Sequence, residues 1–444
     1  MRPPVGGPPL GPGTLFLRMT IARARTVTGA DRALRWISRP RLRQLPPLPP
    51  GAKAVLLYSP SNLNQVDGSA IWVRSVVDTL LVDPAVHVTL PLRAPVRRDV
   101  ITGPLRAQDR VELIDNHPRI AARNLGLSTT QALDLIERLD AMRRFDAIVL
   151  RSFALCERAV QRPSLRGRIW SCYILEPERD PDDAEYRAAM TRIAEGSKYV
   201  VVQSTGMRDL LESVVPAARG RTILLPPAIP ADDDAPRATG TPVRRLLYTG
   251  KFHPFYPVER MLDFLAELCQ DYPDLEFHVA GDKFMRIDED PDYPSRLETK
   301  LRTTPGVVWH GSLSREATTA LVAEGGIALN LWDYRFGPRM NDLVVSTKLL
   351  DYAAAAVPIV LTRTPTQAEL LGEDYPLFVT EVDEALGVLR RVLDNAELYR
   401  AAADRAFEAS RAYTYPAIHE LIAPYLAREP GGATPAASSA PTAS

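Results

Sequence analysis

The sequence predicts an α/β protein built from two domains that face each other across a cleft, and three observations carry that reading. Short apolar runs alternate with longer segments of helical spacing from residue 51 onward, the pattern of strand–helix–strand units and a parallel sheet. The alternation stops at Pro230–Pro242, a stretch with three consecutive Asp residues, Pro, Gly and Thr, and then starts over. The chain has 444 residues, too many for one ordinary domain, and 45% of them are apolar, enough for two cores.

Composition removes several classes of function. Lys plus Arg equals Asp plus Glu, 54 each, so there is no net basic footprint for nucleic acid. Cys156, Cys172 and Cys269 are scattered without metal spacing and fit a reducing compartment, so a cytoplasmic location is expected. No apolar run reaches the ~20 residues of a membrane span, and the N-terminus lacks the continuous apolar core of a signal peptide.

Residues 1–50 differ from the rest. They are rich in Pro and Arg, with Asp31 the one acidic residue, and prolines crowd both ends. A disordered tail is the favoured reading. A basic amphipathic helix making peripheral membrane contact is the second, and upstream sequence preceding a true start at Met19 is the third. In the first domain, 51–230, Ala54–Tyr58 reads as a buried strand. The polar loop Ser61–Ser69 follows at its C-terminal end, where open α/β sheets bind ligands. Ile71, Val73, Val76, Val77, Leu80 and Leu81 mark a helix, and Val86–Leu90 the next strand. Further strands are expected at 147–150, 168–173, 199–202 and 222–225, with helices near 129–143, 183–195 and 205–213.

After the linker 231–242, the second domain (243–411) opens with the strand Arg245–Thr249 and Gly250-Lys251. Strands follow at 275–280, 307–310, 326–331, 359–361 and near 377–379, with helices near 257–270, 314–324, 382–393 and 397–411. A last helix is expected within 412–428, and the Ala/Ser/Pro-rich end 429–444 reads as disordered. The stretch 341–360 holds the most chemistry. A polar loop ends at Ser346 and Thr347, residue types that cap helices. An Ala-rich helix then carries Lys348 and Asp351 in its first turn. Helix N–H groups, the dipole, a cation and a carboxylate could together hold a phosphorylated sugar or nucleotide; a solvated surface helix is the plain alternative.

Familiar motifs are missing. No Gly-x-Gly-x-x-Gly follows a predicted strand, Gly250-Lys251 is not a Walker loop, no His pair has zinc spacing, and no Gly-x-Ser-x-Gly elbow occurs.

Four segments in order nevertheless resemble the donor domain of GT-B glycosyltransferases, and are most similar to family 4. These are Leu246–Lys251, Phe277–Asp282, Val307–Leu313, and Ser346–Tyr352 with Ala356–Val360. The resemblance implies two Rossmann-like domains, with acceptor binding in the first and donor binding in the second, and a last helix returning to the first. It implies a hexosyltransferase-like, retaining, metal-independent glycosyltransferase of carbohydrate biosynthesis. A nucleotide diphosphate sugar would be co-substrate, with no further cofactor, and a glycan, lipid or small molecule would be acceptor. The implied donor site comprises Gly250, Lys251, Gly281, Gly311, Leu313, Ser346, Thr347, Lys348 and Asp351 on the second domain, with Gly68 and Ser69 on the first. Lys251 and Lys348 would neutralise the diphosphate, and Asp351 stands where the family has the ribose-binding Glu.

The departures are specific. The second basic residue expected five or six positions after Lys251 is Tyr256 or Pro257 here, so Arg339 or Arg335 is the candidate replacement. Where the family has a His near the sugar, this chain has Tyr173, followed by Glu176; these two and Asp67 are the candidate catalytic groups. Tyr334, Asn341 and Asp342 stand in the region of the family's first Glu. Two alternatives stay open: a nucleotide-sugar epimerase or hydrolase on the same fold, and a non-catalytic binding protein.

Overall fold

A computed structural model describes residues 44–426, apart from 66, 116–125, 177–178, 232–236, 239–241 and 338. The N-terminal segment up to residue 43, the linker centre and the end of the chain lie outside the described residues, and so do the expectations attached to them.

The first sheet has seven parallel strands: β1 (Lys53–Tyr58), β2 (Val86–Pro91), β3 (Val111–Ile114), β4 (Ala147–Arg151), β5 (Ile169–Cys172), β6 (Tyr199–Val202) and β7 (Thr222–Leu224). Their spatial order is β3-β2-β1-β4-β5-β6-β7. Helices α1 (Gly68–Leu80), α2 (Thr102–Arg106), α3 (Thr129–Met142), α4 (Phe153–Ala159), α5 (Ala184–Gly196) and α6 (Thr205–Val214) make the crossovers. The second sheet has six: β8 (Arg245–Thr249), β9 (Glu276–Ala280), β10 (Val307–Gly311), β11 (Ile327–Asn330), β12 (Ile359–Thr362) and β13 (Phe378–Val379), in the order β10-β9-β8-β11-β12-β13. Its helices are α7 (Val258–Leu268), α8 (Tyr293–Thr303), α9 (Arg315–Ala323), α10 (Thr347–Ala354), α11 (Pro365–Leu371), α12 (Glu384–Asp394), α13 (Ala396–Arg411) and α14 (Tyr415–Leu426).

Central strands are apolar throughout because helices cover both faces: β8 is buried from Leu246 onward and β4 from Ala147 to Leu150. In both sheets strand order reverses at one place, between β1 and β4 and between β8 and β11. Loops leaving neighbouring strands there diverge to opposite faces and open a crevice at the strand C-termini. The loops after β1, β4 and β8 thus reach the same space.

Several elements have no counterpart in the expectations: α2, β3, α4, α8, α11 and short 3-10 turns at Pro216–Ala218 and Arg339–Leu343. The strand β3 is a four-residue edge, half-buried over three of its positions. In α8 only Tyr293, Leu297 and Leu301 face the core, at four-residue spacing on an otherwise polar helix.

The two domains meet at defined contacts. Ser204 Oγ donates to Leu343 O (2.7 Å) and Thr205 Oγ1 to Glu369 Oε1 (2.5 Å). The chain crosses back at Ile229, whose backbone pairs with Tyr413 and Tyr415 (2.9 and 2.8 Å). On α14, His419 Nδ1 lies 3.0 Å from Thr79 O, and Tyr425 packs edge-on against Tyr199.

The first domain also contains an ion pair between the buried Asp140 and the half-buried Arg168. Arg168 donates from Nη1 and Nη2 to the two oxygens of Asp140 (2.6 and 2.8 Å), tying α3 to the start of β5. Removing one partner strands a buried charge. Asp140→Ala is expected to lower stability by ~3 kcal/mol, read as a drop in urea midpoint with unchanged slope; a change within error would show the pair is dispensable.

Candidate active site

The crevice is a cavity of about 470 Å³ between the two domains. Asp67, Gly68, Ser69, Trp72, Arg151 and Tyr173 form much of its first-domain wall. Gly250, Lys251, Lys283, Leu313, Lys348 and Asp351 form much of the opposite one. Ser346, Thr347 and Gly281 also line it, whereas Gly311 and Glu176 are not among its described lining.

On the second-domain wall, β8 ends in Tyr248-Thr249-Gly250-Lys251. The Tyr248 hydroxyl donates to Lys251 O (2.6 Å) and fixes the turn. Gly281 adopts φ +149°, and a Cβ there would lie 2.0 Å from Gly250 O, so glycine is needed for the β8 and β9 loops to touch. Gly281 thus has a packing role between the two loops, and it also lines the cleft.

Lys348 reaches the cleft from the first turn of α10. Its Nζ lies 4.1 Å from the Tyr256 ring centre and 4.5 Å from that of Tyr248, with the Tyr248 hydroxyl at 3.5 Å. Ring faces partly offset lost hydration of the ammonium. Burial, aided by the nearby charge of Lys251, still lowers its pKa to about 7. Tyr256, which holds the place of the family's second basic residue, thus acts as a platform for both lysines, with Lys251 Nζ 5.6 Å from its ring centre. Ser346 stands at the N-cap of α10, but its hydroxyl makes no cap hydrogen bond. The side-chain cap expected from sequence is not formed.

Asp351, one turn on, accepts from Arg315 Nη2 at 3.2 Å. Burial holds its pKa above the usual carboxylate value, and Arg315 offsets part of that rise. Arg315 opens α9, and nothing in the sequence pattern marked it. Arg339 begins the 3-10 turn before α10, and its side chain lies outside the described residues. Arg335 pairs with Asp333 (2.6 Å), and the Tyr334 hydroxyl donates to Asp342.

On the first-domain wall, Asp67 caps α1. Its Oδ1 accepts from the N–H groups of Ser69 and Ala70 (both 3.0 Å), and its Oδ2 pairs with Lys283 across the cleft at 3.0 Å. Desolvation raises the carboxyl pKa, but Lys283 and the two N–H groups outweigh it and hold it below the usual value. Asp67, expected among the catalytic groups, is a capped, ion-paired carboxylate. Lys283 was missed because it belongs to no recognised segment; its place one residue past Gly281-Asp282, at the end of β9, was the available signal.

Tyr173 follows β5 at φ +58°, an uncommon conformation for a bulky residue. Burial raises its phenol pKa, and Gln203 Nε2 donates to its oxygen. Glu176 turns elsewhere: its N–H donates to the Tyr186 hydroxyl (2.7 Å), and its carboxylate lies 3.7 Å from Arg179. Among the described residues no cluster of His, Cys, Asp or Glu could hold a metal, and no helix is long and apolar enough to cross a membrane.

The family model described as glycosyl transferase-like matches residues 255–421. No curated protein matches the chain in sequence. Three solved structures are similar along most of its length. Sucrose-phosphate synthase from Thermosynechococcus elongatus has TM-score 0.60 and 14% identity, covering 84% of this chain and 98% of its own. HepE from Anabaena, in complex with UDP and glucose, has TM-score 0.62 and 13% identity, covering 84% and 99%. Trehalose-6-phosphate synthase OtsA has TM-score 0.62 and 11% identity, covering 85% and 99%. At such identities the structural likeness establishes the fold, and the family match concerns the second half: residues 255–421 match the glycosyl transferase-like model, and the chain has the GT-B fold.

Proposed function

We propose that the protein transfers a sugar from a nucleotide diphosphate sugar to a hydroxyl acceptor, with retention, without a metal, in carbohydrate biosynthesis. The observation that carries this is the convergence of Lys251, Lys283 and Lys348 on one inter-domain cleft beside the α10 N-terminus. Transfer leaves negative charge on the departing diphosphate, and fixed cations and N–H groups stabilise it where it develops. An α10 start without a side-chain cap leaves first-turn N–H groups for such an anion. Asp351, steadied by Arg315, would accept from the ribose hydroxyls. Since HepE is described in complex with UDP, UDP is the first nucleotide to test. A glycan, lipid or small molecule would enter from the first-domain side. An epimerase or hydrolase needs acid/base groups around the sugar; no histidine is among the described lining, and Asp67 is ion-paired.

The buried charge of Lys348 provides a test with two readouts. Its folded pKa lies below the unfolded value of 10.5, so between about pH 7 and 10.5 the unfolded chain binds more protons. Stability therefore rises with pH through that window, and the penalty is complete below it. Lys348→Met is expected to raise the Tm of the nucleotide-free protein near pH 6.5, estimated as a shift of about 2–4 °C, while abolishing most of the thermal shift given by UDP, GDP, ADP or dTDP. A variant that is less stable and still responds fully to nucleotide would refute the role.

Binding should also take up a proton. A diphosphate beside Lys348 raises its pKa, so from pH 7 to 9 UDP affinity is expected to fall, by at most about tenfold per unit. Lys348→Arg stays charged and should flatten the profile. Calorimetry in buffers of different ionisation heat measures both, and a pH-independent affinity in the unaltered protein contradicts the assignment.

A further inference from the structure

The donor diphosphate accounts for the lysines of the second domain, but not for Arg151. Arg151 ends β4 beside the strand-order reversal and is the one cation that the first domain contributes to the described cleft lining. Its guanidinium carbon lies 4.1 Å from the centre of the Tyr173 ring and 5.3 Å from that of Trp72, and these rings meet edge-to-face at 5.5 Å. Nη1 donates to Ser61 Oγ at 3.3 Å. Among the described residues no carboxylate pairs with it, although the half-buried Arg168 and Arg143 of the same domain each have one. The backbone is unusual on both sides of this group: Ser152, next to Arg151, has φ +104°, and Tyr173 has φ +58°. Conformations of this kind persist where the surroundings hold a side chain in one place, and they cluster at ligand sites.

A guanidinium lying on aromatic faces directs its N–H groups outward in its plane, and those beyond the bonds to Ser61 and to the Tyr173 hydroxyl can meet an anion with paired oxygens. We propose that Arg151 is a specificity residue for an anionic group, a carboxylate or phosphate, carried by the sugar acceptor or by the transferred sugar. Trp72 and Tyr173 set its plane, and Ser61 limits its swing. A neutral sugar in this position would leave the cation without a counter-ion in a half-enclosed cleft, which disfavours it against an acidic one. The assignment rests on the transferase reading of the cleft, yet it concerns the opposite wall from the lysines.

The test separates the two. The full chain is first titrated with UDP alone; failure here, and with the other nucleoside diphosphates, counts against the transferase reading. UDP-saturated protein is then titrated with glucose, glucose 6-phosphate and glucuronate, and the free protein with UDP-glucose and UDP-glucuronate. An acidic acceptor is indicated by preference in the first set, and an acidic donor sugar by preference in the second. Either preference is expected to reach about tenfold over the neutral counterpart. Arg151→Gln should bring that ratio to about one with UDP affinity unchanged, and Arg151→Lys should restore part of it. The proposal is overturned if neither set shows an acidic preference in the unaltered protein, if Arg151→Gln keeps the preference, or if it loses UDP affinity by the same factor, which would make Arg151 a diphosphate contact. If no nucleotide binds, glucose 6-phosphate against glucose on the free protein still decides the point.

Discussion

The cleft depends on the cost of holding the Lys348 ammonium away from bulk water. Two tyrosine rings and one hydroxyl replace part of its hydration, and the remaining deficit is visible as a pKa near 7. A charge kept at such expense is poised for a counter-ion. The surrounding features serve the same end: the Tyr248–Lys251 turn, the Gly281–Gly250 contact and Asp351 with its Arg315 partner place groups around one spot. None of them is strong alone, and the Tyr248–Lys251 turn lies against the loop that leaves β9.

Sheet topology delivers these groups to one place. Strand order reverses once in each sheet, so the C-terminal loops beside each reversal open a crevice. The contacts at Ser204, Thr205, Ile229 and His419 hold the two crevices face to face. Asp67 and Arg151 come from one reversal, Lys251 from the other. Lys283 adds a cation from the loop that leaves β9, the strand next to β8.

Most of the architecture was legible because it follows from burial. Continuous apolar runs such as Leu246–Tyr248 and Ile148–Leu150 can sit only in covered parallel strands, and their order along the chain gives the alternation. What escaped had weak hydrophobic patterning: α8, polar except for three residues, and β3, a short edge strand. The site was legible in part for a related reason. Lys251, Lys348 and Asp351 sit in segments of recognisable shape. Lys283 and Arg315 gain their meaning from partners 216 and 36 positions away, Asp67 and Asp351. Glu176 was drawn toward the site by sequence nearness to Tyr173, but the backbone turns at Tyr173 and carries it to Arg179.

The pair between Asp67 and Lys283 has a further consequence. The Asp67 carboxylate already receives two N–H groups from the start of α1 and an ammonium from the opposite domain, the company a phosphate oxygen would keep. The cleft thus contains its own surrogate anion. A ligand anion that takes the place of Asp67 on Lys283 would meet this resident competitor, and the affinity it showed would be a difference between two similar contacts. Such an exchange would cut a tie between the domains as the ligand arrived, handing the work of bridging them from protein to ligand.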